Sequence, residues 1–179
     1  MSGDVIKVEV EGVSSLLQHK YTFRDERAVH GKRRSGAQDH TEEWKASLFK
    51  EPRIGIYQPG LHLEAALVKA AANFQIPGRG KKTYQQLFRS AVFVSPEKIP
   101  LRKQEPDRIH KSRVIVARAA VERYRPEFVA GWRLQFELTV LDDQIPREIV
   151  KDILEYAGAF CGIGDWRPRY GRFRVLTFG

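Results

Sequence analysis

The chain has 179 residues, enough for one domain with a sizeable core, and its 42% hydrophobic content fits a globular protein. Its 31 basic and 22 acidic residues leave a formal charge of +9, which points to a polyanionic partner, nucleic acid before an anionic membrane surface. The single cysteine, Cys161, excludes an internal disulfide framework, and no apolar run reaches the roughly eighteen residues of a membrane span. The opening MSGDVIKVEVEG has neither the basic start nor the apolar stretch of a signal peptide, so a soluble, cytoplasmic protein is expected.

Residues 5–13, VIKVEVEGV, alternate Ile6, Val8 and Val10 with Lys7, Glu9 and Glu11, the pattern of a half-buried strand. Residues 24–53 are dominated by charge, broken by Gly31 and Gly36, and have no clean core period. They are too long for an ordinary connection and are expected to form an inserted loop or hairpin. Residues 58–74, QPGLHLEAALVKAAANF, predict a helix that starts at Pro59-Gly60 and buries Leu63, Leu67, Ala70 and Phe74. A short apolar strand, SAVFV (90–94), is followed by a proline- and charge-rich loop (96–111) and two longer strands, 112–124 and 131–141. The second of these places Trp132, Leu134, Phe136, Leu138 and Val140 on one side. After Pro146 an amphipathic helix repeats Ile149, Ile153, Tyr156 and Phe160, with Asp142 and Asp143 read as acidic groups favoured near its N-terminus rather than as metal ligands. RFRVLTFG closes the chain as a strand. The order strand–helix–strand–strand–helix–strand, with 90–94 as an extra piece, predicts an α+β, ferredoxin-like (RRM-like) βαββαβ sandwich. It is read as a single domain over 1–179, with a long insertion after the first strand.

The chemistry concentrates in residues 158–175, GAFCGIGDWRPRYGRFRV, with four glycines, four arginines and four aromatics. A phosphate-binding P-loop is excluded, because these glycines lie between a helix and a strand and no lysine accompanies them. The nearer candidate, PGRGKKT (77–83), has Gln75 in place of the first glycine and Lys82 in place of Ser or Thr. In the longer stretch, Gly164 and Gly171 allow close backbone approach to a ligand, Arg167, Arg169 and Arg172 can pair with phosphates, and Trp166 and Tyr170 can stack on bases. The same residues also suit a C-terminal turn whose glycines cap a helix and whose aromatics plug the core. Three further basic clusters add weight to the first reading: Arg79, Lys81 and Lys82 in GRGKK, Arg123 and Arg125 in RYRP, and Lys32, Arg33 and Arg34 in HGKRR. Together they predict a track for single-stranded nucleic acid, RNA or DNA.

Two stretches carry a family resemblance. IYQPGLHLEAALVKAA (56–71) resembles the Pro-Gly turn into the first helix of the RAMP superfamily, the ferredoxin-like CRISPR-associated RNA-binding proteins. IGDWRPRYGRFRV (163–175) resembles that family's glycine-rich loop before the final strand, although it is longer and richer in arginine. The likeness is nearest to the backbone subunits of effector complexes. It implies a loop lying against the RNA backbone, a thumb inserted after the first strand that wedges between nucleotides, and homo- or hetero-oligomeric assembly along the strand. Residues 24–53 occupy the place of such a thumb.

Some RAMP proteins cleave RNA with a histidine as general acid or base. His30 and His40, inside the insertion among basic residues, are the pair placed to do so; His62 fits packing or capping, and His19 and His110 have no partner signature. The scattered histidines and lone cysteine provide no metal-ligand spacing, and no cofactor motif is present. The helix at 61–74 carries only Lys69 as a base, which disfavours a membrane-surface role. The expected protein is therefore a non-catalytic binder. A metal-independent endoribonuclease and a protein-binding module mimicking a RAMP subunit are the alternatives.

Overall fold

The computed structural model describes residues 3–21, 43–116 and 119–179 of the chain. β1 (Asp4–Gly12) turns Ile6, Val8 and Val10 inward and Lys7, Glu9 and Glu11 outward, as its alternation predicts. It lies between β10 (Phe173–Phe178) and β9 (Arg133–Val140), and β9 pairs in turn with β5 (Val92–Ser95). Every neighbouring pair in this sheet is antiparallel. Its inner face buries Leu134, Phe136 and Leu138 beside the β1 residues and packs against two helices, α2 (Gly60–Ala71) and α4 (Arg147–Tyr156). α2 follows Pro59 and buries Leu63, Leu67 and Ala70 as expected, with Phe74 half-buried just beyond its end. Its small residues Ala66, Ala70 and Ala71 allow it to lie close to its neighbours.

Two small sheets stand beside this layer. One has the order β2 (Leu16–Leu17), β8 (Ala119–Phe128), β7 (Arg108–Val116), and the other the order β3 (Lys50–Glu51), β4 (Gly55–Pro59), β6 (Lys98–Pro100). Two short helices, α1 (Glu43–Ser47) and α3 (Gln85–Ala91), precede β3 and β5. The chain is thus a mixed α+β protein with antiparallel sheets. No helix among the described residues is long and apolar enough to cross a membrane.

Four expectations change. Residues 112–124 are not one strand of the main sheet: they belong to two arms of a hairpin, β7 and β8, in register from Arg108↔Glu127 to Val116↔Ala119. The residues between the arms in the sequence, Ala117 and Arg118, include none of the Gly, Asn or Asp that usually marks a hairpin turn, so the reversal has no signal there. The main-sheet position belongs to β5, the short strand expected as an extra piece. The second helix ends at Tyr156 and passes into a π turn (Ala157–Cys161). The wider turn changes the phase, so Cys161 faces the core while Phe160, expected inside, is 63% exposed. Finally, only residues 43–53 of the 24–53 insertion are described, and they do contribute to the core: Leu48 is 7% exposed and Trp44 packs against the core. His30, Lys32, Arg33, Arg34 and His40 lie outside the described residues.

Candidate nucleic-acid interface

The glycine-rich loop, residues 162–172, is built against its own chain. Gly162 N–H donates to Ala157 O (2.9 Å) and so ends the π turn, and Ile163 N–H donates to Gly171 O (2.9 Å), closing the base of the loop. Its backbone is then pinned to β2 and to the segment joining β1 and β2. Gly171 N–H donates to Ser15 O (2.7 Å), Asp165 N–H to Leu17 O (2.8 Å), and Arg172 N–H to Ser14 Oγ (3.0 Å). The buried Trp132 holds that segment from the other side through its indole N–H to Ser14 O (2.8 Å). Gly164 (φ +78°) and Gly171 (φ +74°) take left-handed backbone here, and a side chain at either would enter neighbouring backbone, the Leu17 carbonyl or the Ile163 carbonyl. The glycines therefore set the shape of the loop. Of the aromatics in and beside it, Phe173 plugs the core, whereas Trp166 is 39% exposed and Tyr170 half-buried.

Arg125 on β8 joins the hairpin to this loop. Its side chain is buried, with Nε donating to Asp165 Oδ2, Nη1 donating to Ser112 Oγ (3.1 Å), and the guanidinium carbon 4.7 Å from the Trp166 ring centroid. His110, the register partner of Arg125 on β7, meets Trp166 and Tyr170 in T-shaped contacts, each with centroids 5.5 Å apart. Trp166 and Tyr170 themselves lie 6.2 Å apart, tilted by 44°. His110, Ser112 and Asp165 were not coupled to this site by sequence reasoning. The one usable signal is strand alternation, which puts His110 and Ser112 on the same side of β7.

The remaining candidates fall into separate groups. Arg167, Arg169 and Arg172 are exposed and, among the described residues, engage no carboxylate. Arg79, Lys81 and Lys82 occupy an exposed turn after α2, where Arg79 Nη2 donates to Gln144 Oε1 (2.6 Å) near the start of α4. Arg123 is half-buried on β8, opposite Ser112. The structure thus brings Gly164, Trp166, Arg167, Arg169, Tyr170, Gly171 and Arg172 together in one loop with Arg125 behind it; the contact of the 78–82 turn is with Gln144.

Beside the loop, a buried amide relay reaches the start of α2. Gln18 Nε2 donates to Gln58 Oε1 (3.1 Å), which leaves the Gln58 amide nitrogen to donate to His62 Nδ1 (2.6 Å). Burial, and then the Arg167 charge, hold the His62 imidazole below its ordinary value, so the ring is kept neutral as an acceptor. His62 also packs edge-on against Phe49 at 5.7 Å. Burial pushes the Cys161 thiol up, away from nucleophilic chemistry. Among the described residues, no group of three or more His, Cys, Asp or Glu could hold a metal ion.

The outer face of the main sheet mixes charges of both signs, and Arg102 also reaches it, Nη2 donating to Gln135 Oε1 (2.6 Å). Lys7, Arg133 and Arg174 stand among Glu9, Glu11 and Glu137. Arg174 (2.5 Å) and Arg133 (3.0 Å) clasp Glu11, and their hydrogen bonds hold its carboxyl below the usual carboxylate range. Among the described residues Arg167, Arg169 and Arg172 have no ion-pair partner, the loop's own Asp165 being paired with Arg125, and they belong to the segment that precedes β10.

No family model matches the chain, and no curated protein matches it. Among solved structures it is similar to a chain in the cryo-EM structure of the Type III-B Cmr-beta bound to cognate target RNA, with a TM-score of 0.60 and 9% sequence identity. The match covers 98% of this chain and 59% of that one, so this chain spans less than two thirds of the length of its neighbour. At this identity the likeness is one of fold.

Proposed function

We propose that the chain is a RAMP-like protein that binds single-stranded nucleic acid, RNA first, without cleaving it, and assembles along the strand in a filament or CRISPR-type ribonucleoprotein. The observation that carries this reading is the glycine-rich loop: Arg167, Arg169 and Arg172 stand exposed beside Trp166 on a backbone pinned to the rest of the fold. Its surface joins cations for phosphates to aromatics for bases, the two ingredients of single-strand binding. The sheet order β10–β1–β9–β5, with one helix after β1 and another after β9, supports a ferredoxin-like arrangement. The neighbour's presence in an RNA-bound structure supports RNA over DNA. The outer sheet face, whose Arg133 and Arg174 are tied to Glu11 and which bears Phe93 as an exposed aromatic, argues against an open-sheet stacking platform and for the loop. The endoribonuclease alternative rests on His30 and His40, which lie outside the described residues.

The test is the affinity for a labelled single-stranded RNA measured across a salt series. If the three loop arginines meet phosphates, log K falls linearly with log salt at a slope of about −2 or steeper. The same RNA recovered on a denaturing gel remains full length. An affinity indifferent to salt removes the reading, and cleavage at a fixed site without added metal replaces it with the endoribonuclease.

A further inference from the structure

Trp166 is the one residue of the loop other than glycine that takes left-handed backbone, and it stays partly exposed. Its φ of +52° lies in the left-handed region that bulky residues avoid, and 39% of its surface remains in water. Packing holds it there. Tyr170 N–H donates to Trp166 O (3.2 Å), the Arg125 guanidinium lies over the indole at 4.7 Å, and Arg125 is itself fixed by Asp165 and Ser112. His110 and Tyr170 stand against the ring at 5.5 Å and 6.2 Å. An indole held in this orientation, backed by a cation and 39% exposed, has already lost the side-chain freedom that binding would otherwise remove. Arg167 and Arg169 follow it closely in the chain, so a strand held at its phosphates by these arginines passes within reach of the ring.

We propose that Trp166, Tyr170 and His110, backed by Arg125, form a composite subsite that stacks an unpaired nucleobase, so that this protein selects single strands over duplexes. The subsite rests on the nucleic-acid reading above and adds to it a second element, the β7–β8 hairpin, without which the indole is not held. Arg125 thereby acts as a positioning residue and not as a phosphate ligand. In a duplex the bases are stacked on one another and closed to such a ring; in a single strand each base offers a π face.

The experiment compares the full chain on three probes of equal length: a single-stranded RNA, an abasic strand with the same phosphates, and a duplex. Wild-type protein is expected to bind the base-bearing strand about tenfold tighter than the abasic one, the size of one stacking contact, and to bind the duplex more weakly than the single strand. That ratio collapses towards one in Trp166→Leu and is largely recovered in Trp166→Phe, which keeps an aromatic face. Tyr170→Leu is the second variant should Trp166→Leu fail to fold, and thermal melting is recorded for each. Equal wild-type binding of base-bearing and abasic strands overturns the subsite while the phosphate-binding reading stands. Binding of neither strand overturns both. Leucine variants that melt earlier yet keep the wild-type ratio show that the rings only cover the Arg125–Asp165 pair, and this too overturns the proposal.

Discussion

At the scale of single residues, two glycines with nearly the same backbone angle separate conformation from packing. Gly78 has φ +73° with open space where a Cβ would be, and Gly171 has φ +74° with the Ile163 backbone in that place. The left-handed conformation costs an alanine roughly 1–2 kcal/mol, part of which is offset by the stiffer unfolded chain. For Gly78→Ala the net loss is therefore expected to be about 1 kcal/mol. Gly171→Ala adds a backbone collision, and its loss is expected to be about 3 kcal/mol or more. At roughly 2–4 °C per kcal/mol for a chain of this size, thermal melting should place the two variants clearly apart, with Gly171→Ala several degrees lower. Equal shifts would mean that the loop relaxes around the new methyl and that Gly171 is required only for its angle. Both glycines stand out in the sequence, but nothing local shows that one touches backbone and the other water, because the colliding carbonyl belongs to Ile163 and is brought there by the loop's own closure.

At the scale of elements, legibility followed periodicity. β1 and β9 alternate without interruption and α2 keeps its apolar stripe, so their buried faces could be read directly. The hairpin could not, since Ala117-Arg118 interrupts a β-prone run with no turn residue, and the π turn displaced Phe160 from the face its spacing implied. The candidate site was legible to the same extent: the loop's own arginines and aromatics are evident from composition, whereas the hairpin that backs them is joined through Arg125 and Asp165, which are distant in the sequence. That junction is a partly buried ion pair, and removing one partner strands the other, at a cost of about 3 kcal/mol. Arg125→Ala and Asp165→Ala should each lower the denaturant midpoint by a similar amount, and the double variant should lose little more than either. Additive losses would show that the two side chains act independently and that the hairpin is held to the loop by other contacts.

For the whole molecule, the question is whether its formal charge of +9 acts as a diffuse field or through one face. The structure supplies a controlled comparison. Arg167→Ala/Arg169→Ala/Arg172→Ala removes three positive charges from the loop, and Lys7→Ala/Arg133→Ala/Arg174→Ala removes three from the outer face of the main sheet, leaving identical net charges. Exposed arginines contribute little to folding, so the loop variant should melt close to wild type. The sheet variant leaves Glu11 without its two partners and should melt slightly lower. At physiological ionic strength the Debye length is about 8 Å, so charges beyond the contact surface are largely screened from the strand. The loop variant is therefore expected to lose affinity for single-stranded RNA by orders of magnitude and to flatten the salt slope by about 2, or roughly 0.7 for each phosphate left without its arginine. The sheet variant should bind within a few-fold of wild type with its slope intact. Equal weakening of both would locate the affinity in the net charge, and the loop would then be no more than one basic surface among several. Weakening confined to the sheet variant would move the interface to the outer sheet face, where Glu9, Glu11 and Glu137 would have to be screened from the phosphates they stand beside.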